Sequence, residues 1–465
     1  MTQRSFIECC AQVGFVLSVL FGVATIPAAA QTPEPPPPPP TSPLAIHIGD
    51  SDFVIGGFMD LTAFTRSTNT GTGISSSFGT IPFTNLAGVP QAAGNLSETR
   101  FTTQNSRISL QATSKVGGAS LKGYVEADFL GAAPTNLNVT SNSNALRMRL
   151  YWVQYTAGKF EFLGGQSWSM LTPGRNGISP VPGDLFYSQD VDTNYQMGLT
   201  WCRTPQFRFV AHASSVVTAG LSLENPQQYV GSAVALPAAF PAAEVDNGAN
   251  SGAANLYPDV IGKIALDPKM GNGTHQHIEG AVLVRGYKTY NPATDSSFTS
   301  TATGGSVNVV LEPVKNFKIV GTTFFSNGGG RYIANTNLPD FIVNADESLS
   351  LVKSRSFIVG PEIQAGPKSL IFGYYSQAMA DSNVAVDTNG KQIGFGVTGS
   401  TSANNKVTEA TVGLVQTFFR DPKIGGLQLM LQYSNVQRTP FSVPALTPDK
   451  AKVNMVYINV RYLLP

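Results

Sequence analysis

Two-faced runs separated by connectors that are alternately long and short set the tightest limit on how this chain can fold. Sixteen runs stand out: 53–66, 99–112, 120–130, 145–156, 160–168, 194–203, 206–216, 257–266, 276–289, 305–312, 317–325, 355–364, 369–378, 406–419, 425–436 and 451–463. Apolar and polar residues alternate in them with the period of two that a strand imposes. Their length suits a tilted bilayer-crossing strand, which takes ~9–11 residues. The connectors at 67–98, 131–144, 169–193, 217–256, 290–304, 326–354, 379–405 and 437–450 are long, and those at 113–119, 157–159, 204–205, 267–275, 313–316, 365–368 and 420–424 are short. A soluble sandwich has no reason to keep that order. A transmembrane barrel does, because its periplasmic turns are short and its extracellular loops long. Gly158, Pro205, Pro313, Pro367 and Pro422 punctuate the short connectors. The even count lets the first strand pair with the last and leaves no edge. The expected fold is all-β, a closed antiparallel transmembrane barrel of about sixteen strands.

Composition agrees with a protein that shows water little surface. Charged residues are 13% of the chain, about half the usual share of ~25%. With 30 Lys+Arg against 29 Asp+Glu, net charge points to no nucleic-acid partner. Past the N-terminus no apolar run reaches the ~18–20 residues of a membrane helix. The N-terminus itself reads as a secretory signal: Arg4, an apolar stretch from Val13 to Val23, and Ala28-Ala29-Ala30 before cleavage. Cys9 and Cys10 leave with it, so the mature chain holds Cys202 alone and forms no internal disulfide. Residues 31–52 open with a proline tract, an extended periplasmic tether, and the barrel occupies 53–465.

Parity within the runs assigns the faces. In the hairpin Leu146–Trp168, Leu146, Met148, Leu150 and Trp152 share one side, and Arg147, Arg149 and Tyr151 the other. Likewise Val125, Ala127 and Phe129 oppose Tyr124, Glu126 and Asp128, and Ile108, Leu110 and Ala112 oppose Arg107, Ser109 and Gln111. A charge facing hydrocarbon costs ~2–4 kcal/mol near the midplane, so the charged parity should line a wet lumen and the apolar parity meet lipid. Inward parity then gives Arg107, Glu126, Asp128, Arg147, Arg149 and Glu161, with Arg203 and Arg208 beyond them. Trp152, Trp201, Tyr374 and Tyr462, near run ends, are candidates for an interfacial aromatic girdle. The third long connector, about 169–193, carries Arg175, Asp184, Asp190 and Asp192 and is the candidate for a loop folded into the bore. A basic wall facing an acidic loop would favour anions at a constriction.

Enzymatic signals are thin. His275 and His277 could share a strand face as a metal pair, but no third ligand is evident and a polar turn explains them better. A hydrolase using His212 or that pair, and a surface barrel with a closed lumen, are the alternatives to a channel. No cofactor is implied.

The segments NSRISLQAT, LKGYVEADFLG, LRMRLYWVQY and FLGGQSWS, then a Pro/Gly/Asp-rich loop and RTPQFRF, resemble the DcaP-like family of trimeric outer-membrane porins, most closely between Asn105 and Phe209. The resemblance implies a sixteen-stranded homotrimeric barrel in the outer membrane of a Gram-negative-type bacterium. It also implies an arginine-lined constriction and uptake of small anionic solutes such as dicarboxylates. Carried over residue by residue, Arg107, Arg147 and Arg149 become pore-lining, and Gln166 to Ser169, with Trp168, the start of the inward loop. This chain departs from the pattern in its proline tract, where the family can carry a helical segment, and in ending on Leu464 and Pro465, where a terminal aromatic is usual, with Tyr462 as a stand-in.

Overall fold

The structure is a computed structural model that describes residues 42–70, 77–140, 142–183, 185–189, 195–247, 252–271 and 273–465. The leader and the proline tract, with Asp184, Asp190 and Asp192, lie outside the described residues. Sixteen strands form the wall: β1 Ser51–Arg66, β2 in two pieces Glu98–Thr102 and Arg107–Val116, β3 Ala119–Asp128, β4 Arg147–Ala157, β5 Phe160–Trp168, β6 Arg203–His212, β7 Val217–Glu224 and β8 Asp259–Leu266 form its first half. β9 Gln276–Asn291, β10 Ser296–Val314, β11 Phe317–Asn327, β12 Lys353–Gln364, β13 Ser369–Ala380, β14 Asn404–Asp421, β15 Gly425–Pro440 and β16 Ala451–Leu463 complete it. Each pairs antiparallel with the next, and β16 pairs back onto β1 from Met455 opposite Arg66 to Leu463 opposite Phe58. Closure leaves no row of unpaired amides in the wall, the condition for a sheet to stand in hydrocarbon. Below Phe58 the edge of β1 that β16 no longer reaches is taken by the short strand Ala45–Ile48.

The two faces sort by chemistry. Ile55, Leu61, Phe101, Ile108, Leu110, Val125, Phe207, Phe209, Ile264, Val282, Ile371, Val412, Ile458 and Val460 stand exposed on the outside. Asp60, Arg66, Glu126, Asp128, Arg149, Arg208, Lys263, Glu279, Arg285, Glu362, Glu409 and Arg461 are buried on the inside. An apolar belt around a charged interior is the arrangement of an outer-membrane barrel.

Four expectations are corrected. The run 194–203 is not a wall strand: Tyr195, Met197 and Leu199 are buried in the interior, and β6 begins only at Arg203. Both parities of this loop are buried, Gln196 and Thr200 as fully as Tyr195, Met197 and Leu199, so its alternating sequence marks no lipid-facing side. The run 206–216 is therefore part of β6, and β7 falls where a long loop was expected, its pattern muted by the small residues Ala219, Gly220 and Ser222. The loop expected at 290–304 shrinks to 292–295, because the Ser/Thr-rich segment after it continues the ladder, with Asn291 opposite Ser296. Polar β-formers hid a strand that runs past the apolar belt.

The fourth correction concerns β4. Its register against β3 shifts, with Glu126 opposite Leu150 and Ala127 opposite Met148, which leaves Arg149 as the extra residue of a bulge. Beyond the bulge parity inverts: Leu150 and Trp152 are buried inside, while Tyr151, Val153 and Tyr155 face outward. Trp152 is consequently an interior residue, and so, for separate reasons, are Trp201, stacked on Trp168 and Tyr195, and Tyr374, on the inward parity of β13; none of the three forms a girdle. Trp152 stacks on Tyr124 at 5.3 Å, and the Tyr374 hydroxyl donates to Glu362 at 2.8 Å. Outside, stacked pairs Phe160–Phe209 and Phe162–Phe207 supply aromatic surface. The Tyr462 hydroxyl donates to the Ile424 carbonyl at 2.8 Å, joining β16 to the turn before β15.

Candidate pore and constriction

The arginine wall is built where β2, β3 and β4 run side by side. Glu126 and Asp128 alternate on β3 so that both point inward. The β4 bulge brings Arg147 and Arg149 to the same pair of carboxylates. Arg149 donates from Nε to Glu126 and from Nη1 to Asp128, both at 2.7 Å. Arg147 grips Asp128 with Nε at 2.9 Å and Nη2 at 2.7 Å, a bidentate fork. Arg107 on β2 reaches Glu126 at 3.7 Å, and the Tyr124 hydroxyl donates to the same carboxylate at 2.9 Å. Three guanidiniums meet two carboxylates, so the cluster carries one net positive charge (3 − 2 = +1).

Exposure divides these charges unequally. The side chains of Glu126 and Asp128 are 6% and 1% exposed, whereas those of Arg107 and Arg147 are 15% and 33% exposed. The negative charge is sealed under the positive. Arg149, 1% exposed, is the buried keystone between the two acids, and its guanidinium lies 5.7 Å from the Trp168 ring centre. From Trp168 a stack runs inward: Trp168 on Trp201 at 5.0 Å, and Trp201 on Tyr195 at 5.0 Å. Arg203 lies 5.3 Å over the same Trp168 ring.

Residues 169–202 leave and rejoin the wall together, since the Ser169 amide donates to the Cys202 carbonyl at 2.8 Å. In between, the segment is pinned to inward acids on distant strands. The amides of Met170, Gly174 and Met197 donate to Glu224 on β7 at 2.8 Å, Glu279 on β9 at 3.0 Å and Glu409 on β14 at 2.9 Å. Gln189 donates its amide to Gln432 on β15 at 2.9 Å. Arg175 reaches Glu362 on β12 at 2.9 Å and lies 5.2 Å over Tyr187. Burial disfavours charge on Arg175, but hydrogen bonding and attraction from Glu362 outweigh it and hold its pKa above the ordinary arginine value. The segment thus leans on β7–β15 and faces β2–β5 across a crevice of about 60 Å³ lined by Arg107, Glu126, Arg149, Trp168, Leu199 and Trp201.

The remaining sequence candidates brace this face from behind or lie beyond it. Gln166 bonds the Arg149 carbonyl at 2.9 Å and the outward Tyr151 hydroxyl at 3.3 Å, bracing the hairpin. Arg208 is buried, with Nε on Gln206 at 2.9 Å and Nη2 on the Trp168 carbonyl. Glu161 on β5 bonds His212 at 2.8 Å. His277, fully buried, bridges Asp267 at 2.8 Å and Glu279 at 3.2 Å, while His275 bonds the Arg175 carbonyl at 2.8 Å. Those two imidazoles serve different partners.

Inward charges outside the β2–β4 wall do not stand out in the sequence: Lys263 with Glu279 at 3.0 Å, Arg285 with Asp259 at 3.2 Å, and Arg461 with Asp60 at 3.0 Å. The signal was present, because His277, Glu279 and Arg285 share odd parity along β9. What concealed it was the dispersion of single charges among Val, Gly and Ala. Arg285 also pairs with Asp340 of the 328–352 loop at 3.1 Å. Burial raises the Asp340 carboxyl above its ordinary range, with Arg285 and Arg331 pulling the other way.

No protein-family model matches the sequence, and no curated protein matches it. Solved structures do. OmpT, an outer membrane protein of Vibrio cholerae, aligns with a TM-score of 0.46 at 12% identity, covering 90% of this chain and 99% of that chain. An anion-selective porin from Comamonas acidovorans aligns at 0.47 and 10% identity, covering 89% and 99%. The crystal structure of the outer membrane channel DcaP of Acinetobacter baumannii aligns at 0.60 and 17% identity, covering 89% and 97%. The chain shares its barrel fold with the DcaP channel over nearly the whole length of both proteins.

Proposed function

We propose that this protein is an outer-membrane porin: a water-filled channel for passive diffusion of small hydrophilic solutes, favouring anions such as carboxylates, and not an enzyme. One observation carries the anion preference. On the β2–β4 wall the carboxylates are covered and the guanidiniums are the charges a passing solute meets. A carboxylate would exchange part of its hydration for a guanidinium fork at Arg107 or Arg147. Because those forks are already shared with Glu126 and Asp128, the hold is weak, as conduction requires. Segment 169–202 sets the width of the passage from the opposite side, with Arg175 as its clasp. The leader 1–30 would direct export, the proline tract would be a periplasmic tether, and a homotrimer held through the barrels completes the reading.

Reversal potentials in planar bilayers under a salt gradient test it, with Arg147→Ala and Arg149→Ala beside the natural chain. Anion preference that falls in both variants is expected. Absent conductance, or a natural chain that prefers cations, would sink the proposal. Of the histidines the hydrolase alternative would use, His277 has no exposed surface.

A further inference from the structure

A second chamber of about 310 Å³ lies among three long loops, lined by Trp201, Cys202, Gln227, Tyr229, Arg331 and Asn337 among others. Gln227 and Asn335 are exposed at its rim, so solutes can reach it. Arg331 is the charged residue on this lining. Its Nη1 donates to the Gln227 carbonyl and its Nη2 to the Cys202 sulfur at 3.4 Å, and its guanidinium lies 5.0 Å over Tyr332. No carboxylate stands within ion-pair distance of Arg331 among the described residues. Asp340 takes its backbone amide at 3.0 Å but spends its charge on Arg285. A guanidinium hydrogen-bonded to neutral groups, with Asp340 and Asp259 attracting it from beyond ion-pair distance, stands beside the rings of Trp201 and Tyr229 in a pocket of the size that holds small ligands. Trp201 is also a wall of the inner crevice beside Arg107 and Arg149, so one indole separates the two spaces.

We propose that this chamber is a saturable binding site for a small organic monoanion with a compact apolar body, with Arg331 holding the charge and Trp201 and Tyr229 flanking the body. The site goes beyond the diffusion reading and uses none of the residues that carry it. A solute would pause there, ahead of the arginine wall.

Cys202 reports on occupancy. Purified barrel is treated with the anionic sulfonatoethyl methanethiosulfonate or its cationic trimethylammonium counterpart. In both, the cysteine thiolate attacks the sulfenyl sulfur, a mixed disulfide forms and methanesulfinate leaves, and peptide mapping at Cys202 follows the rate. Relative to a small free thiol, the anionic reagent should be favoured at least about fivefold, the scale that one unit charge ~4 Å away produces in bulk water. Benzoate should slow both reagents with saturation, and benzylammonium, its cationic analogue in shape, should not. Arg331→Gln should abolish both the preference and the protection, and Arg331→Lys should keep the preference. The proposal is overturned by equal rates in the natural chain, by unsaturable or absent benzoate protection, or by protection that survives Arg331→Gln. Should Arg331→Gln fail to fold, the natural chain with benzoate against benzylammonium, and Arg331→Lys, decide alone. Thiol chemistry does not depend on current: a non-conducting or cation-preferring barrel with saturable protection would end the diffusion reading and keep this site.

Discussion

Glu126 stands opposite Leu150 in the β3–β4 ladder, yet the residue after it, Ala127, stands opposite Met148. That single slip places Arg149 in the bulge, brings two arginines onto one pair of acids, and reverses which side of β4 meets lipid.

The reversal can be tested at Tyr151, which simple alternation assigns to the lumen and the structure exposes on the outer belt at 45%. Tyr151→Arg should cost ~2–4 kcal/mol of barrel stability if it lies near the bilayer midplane. Denaturant unfolding from lipid vesicles would measure it. A loss below about 0.5 kcal/mol, the ordinary range of surface substitutions, would mean that the bulge is absent and Tyr151 points inward.

Arg149 predicts a second asymmetry. Removing it alone, as Arg149→Gln, takes the 2.7 Å partner from the nearly inaccessible Glu126 while Asp128 keeps Arg147, and breaking a buried pair costs ~3–5 kcal/mol. The double change Arg149→Gln with Glu126→Gln leaves Asp128 still gripped by Arg147 and should recover part of that loss. Unfolding midpoints of the two variants in the same detergent give the comparison. Equal losses would show that Glu126 and Arg149 are not coupled.

Much of this was legible in the sequence, and the failures have physical causes. Hairpin β4–β5 was readable because its connector around Gly158 is short and its runs alternate. The identity of the arginine cluster was readable because Arg107, Glu126, Asp128 and Arg147 precede the bulge in register. Trp152 and Leu150 were misassigned because a bulge adds a residue without changing the hydrophobic alphabet. Tyr195, Met197 and Leu199 mimic a strand in sequence because the polar residues on the opposite parity, Gln196 and Thr200, are buried too, hydrogen-bonded to Ser376 and the Leu171 carbonyl, and sequence alone does not distinguish a buried polar residue from a lumen-facing one. Lys263 and Arg285 do not stand out because each lies four to six residues from the next inward charge on its strand, among apolar and small residues, and its pairing shows only once the neighbouring strand is in register.

The clasp at Arg175 should govern how still the passage is. Its guanidinium holds Glu362 across the interior, and a charge-assisted hydrogen bond contributes ~1.5–3 kcal/mol, a factor of ten to a hundred or more in the attached-to-detached ratio. Arg175→Ala should therefore raise open-channel current noise and admit larger sugars in liposome swelling, while Glu409 and Glu224 still hold the segment's other points. Unchanged noise and size limit would remove 169–202 from any role in setting the width.

Charge ordering on the wall gives the sharpest test, because two neighbouring residues should push selectivity in opposite directions. Arg147→Ala takes away the most exposed guanidinium of the cluster and uncovers Asp128, whose side chain is 1% exposed beneath it. The cluster then falls from one net positive charge to none (2 − 2 = 0), with Asp128 still held by Arg149. Asp128→Asn keeps both arginines and deletes the acid, so the cluster gains a unit of positive charge. A unit charge 4 Å from the ion contributes about 1 kcal/mol in bulk water, a factor of roughly five, and less with physiological salt. Anion-to-cation permeability should fall by up to that factor in Arg147→Ala and rise in Asp128→Asn. Measured at low and high salt, both changes should shrink as ionic strength rises. Shifts of the same sign in the two variants would show that solutes do not pass this wall.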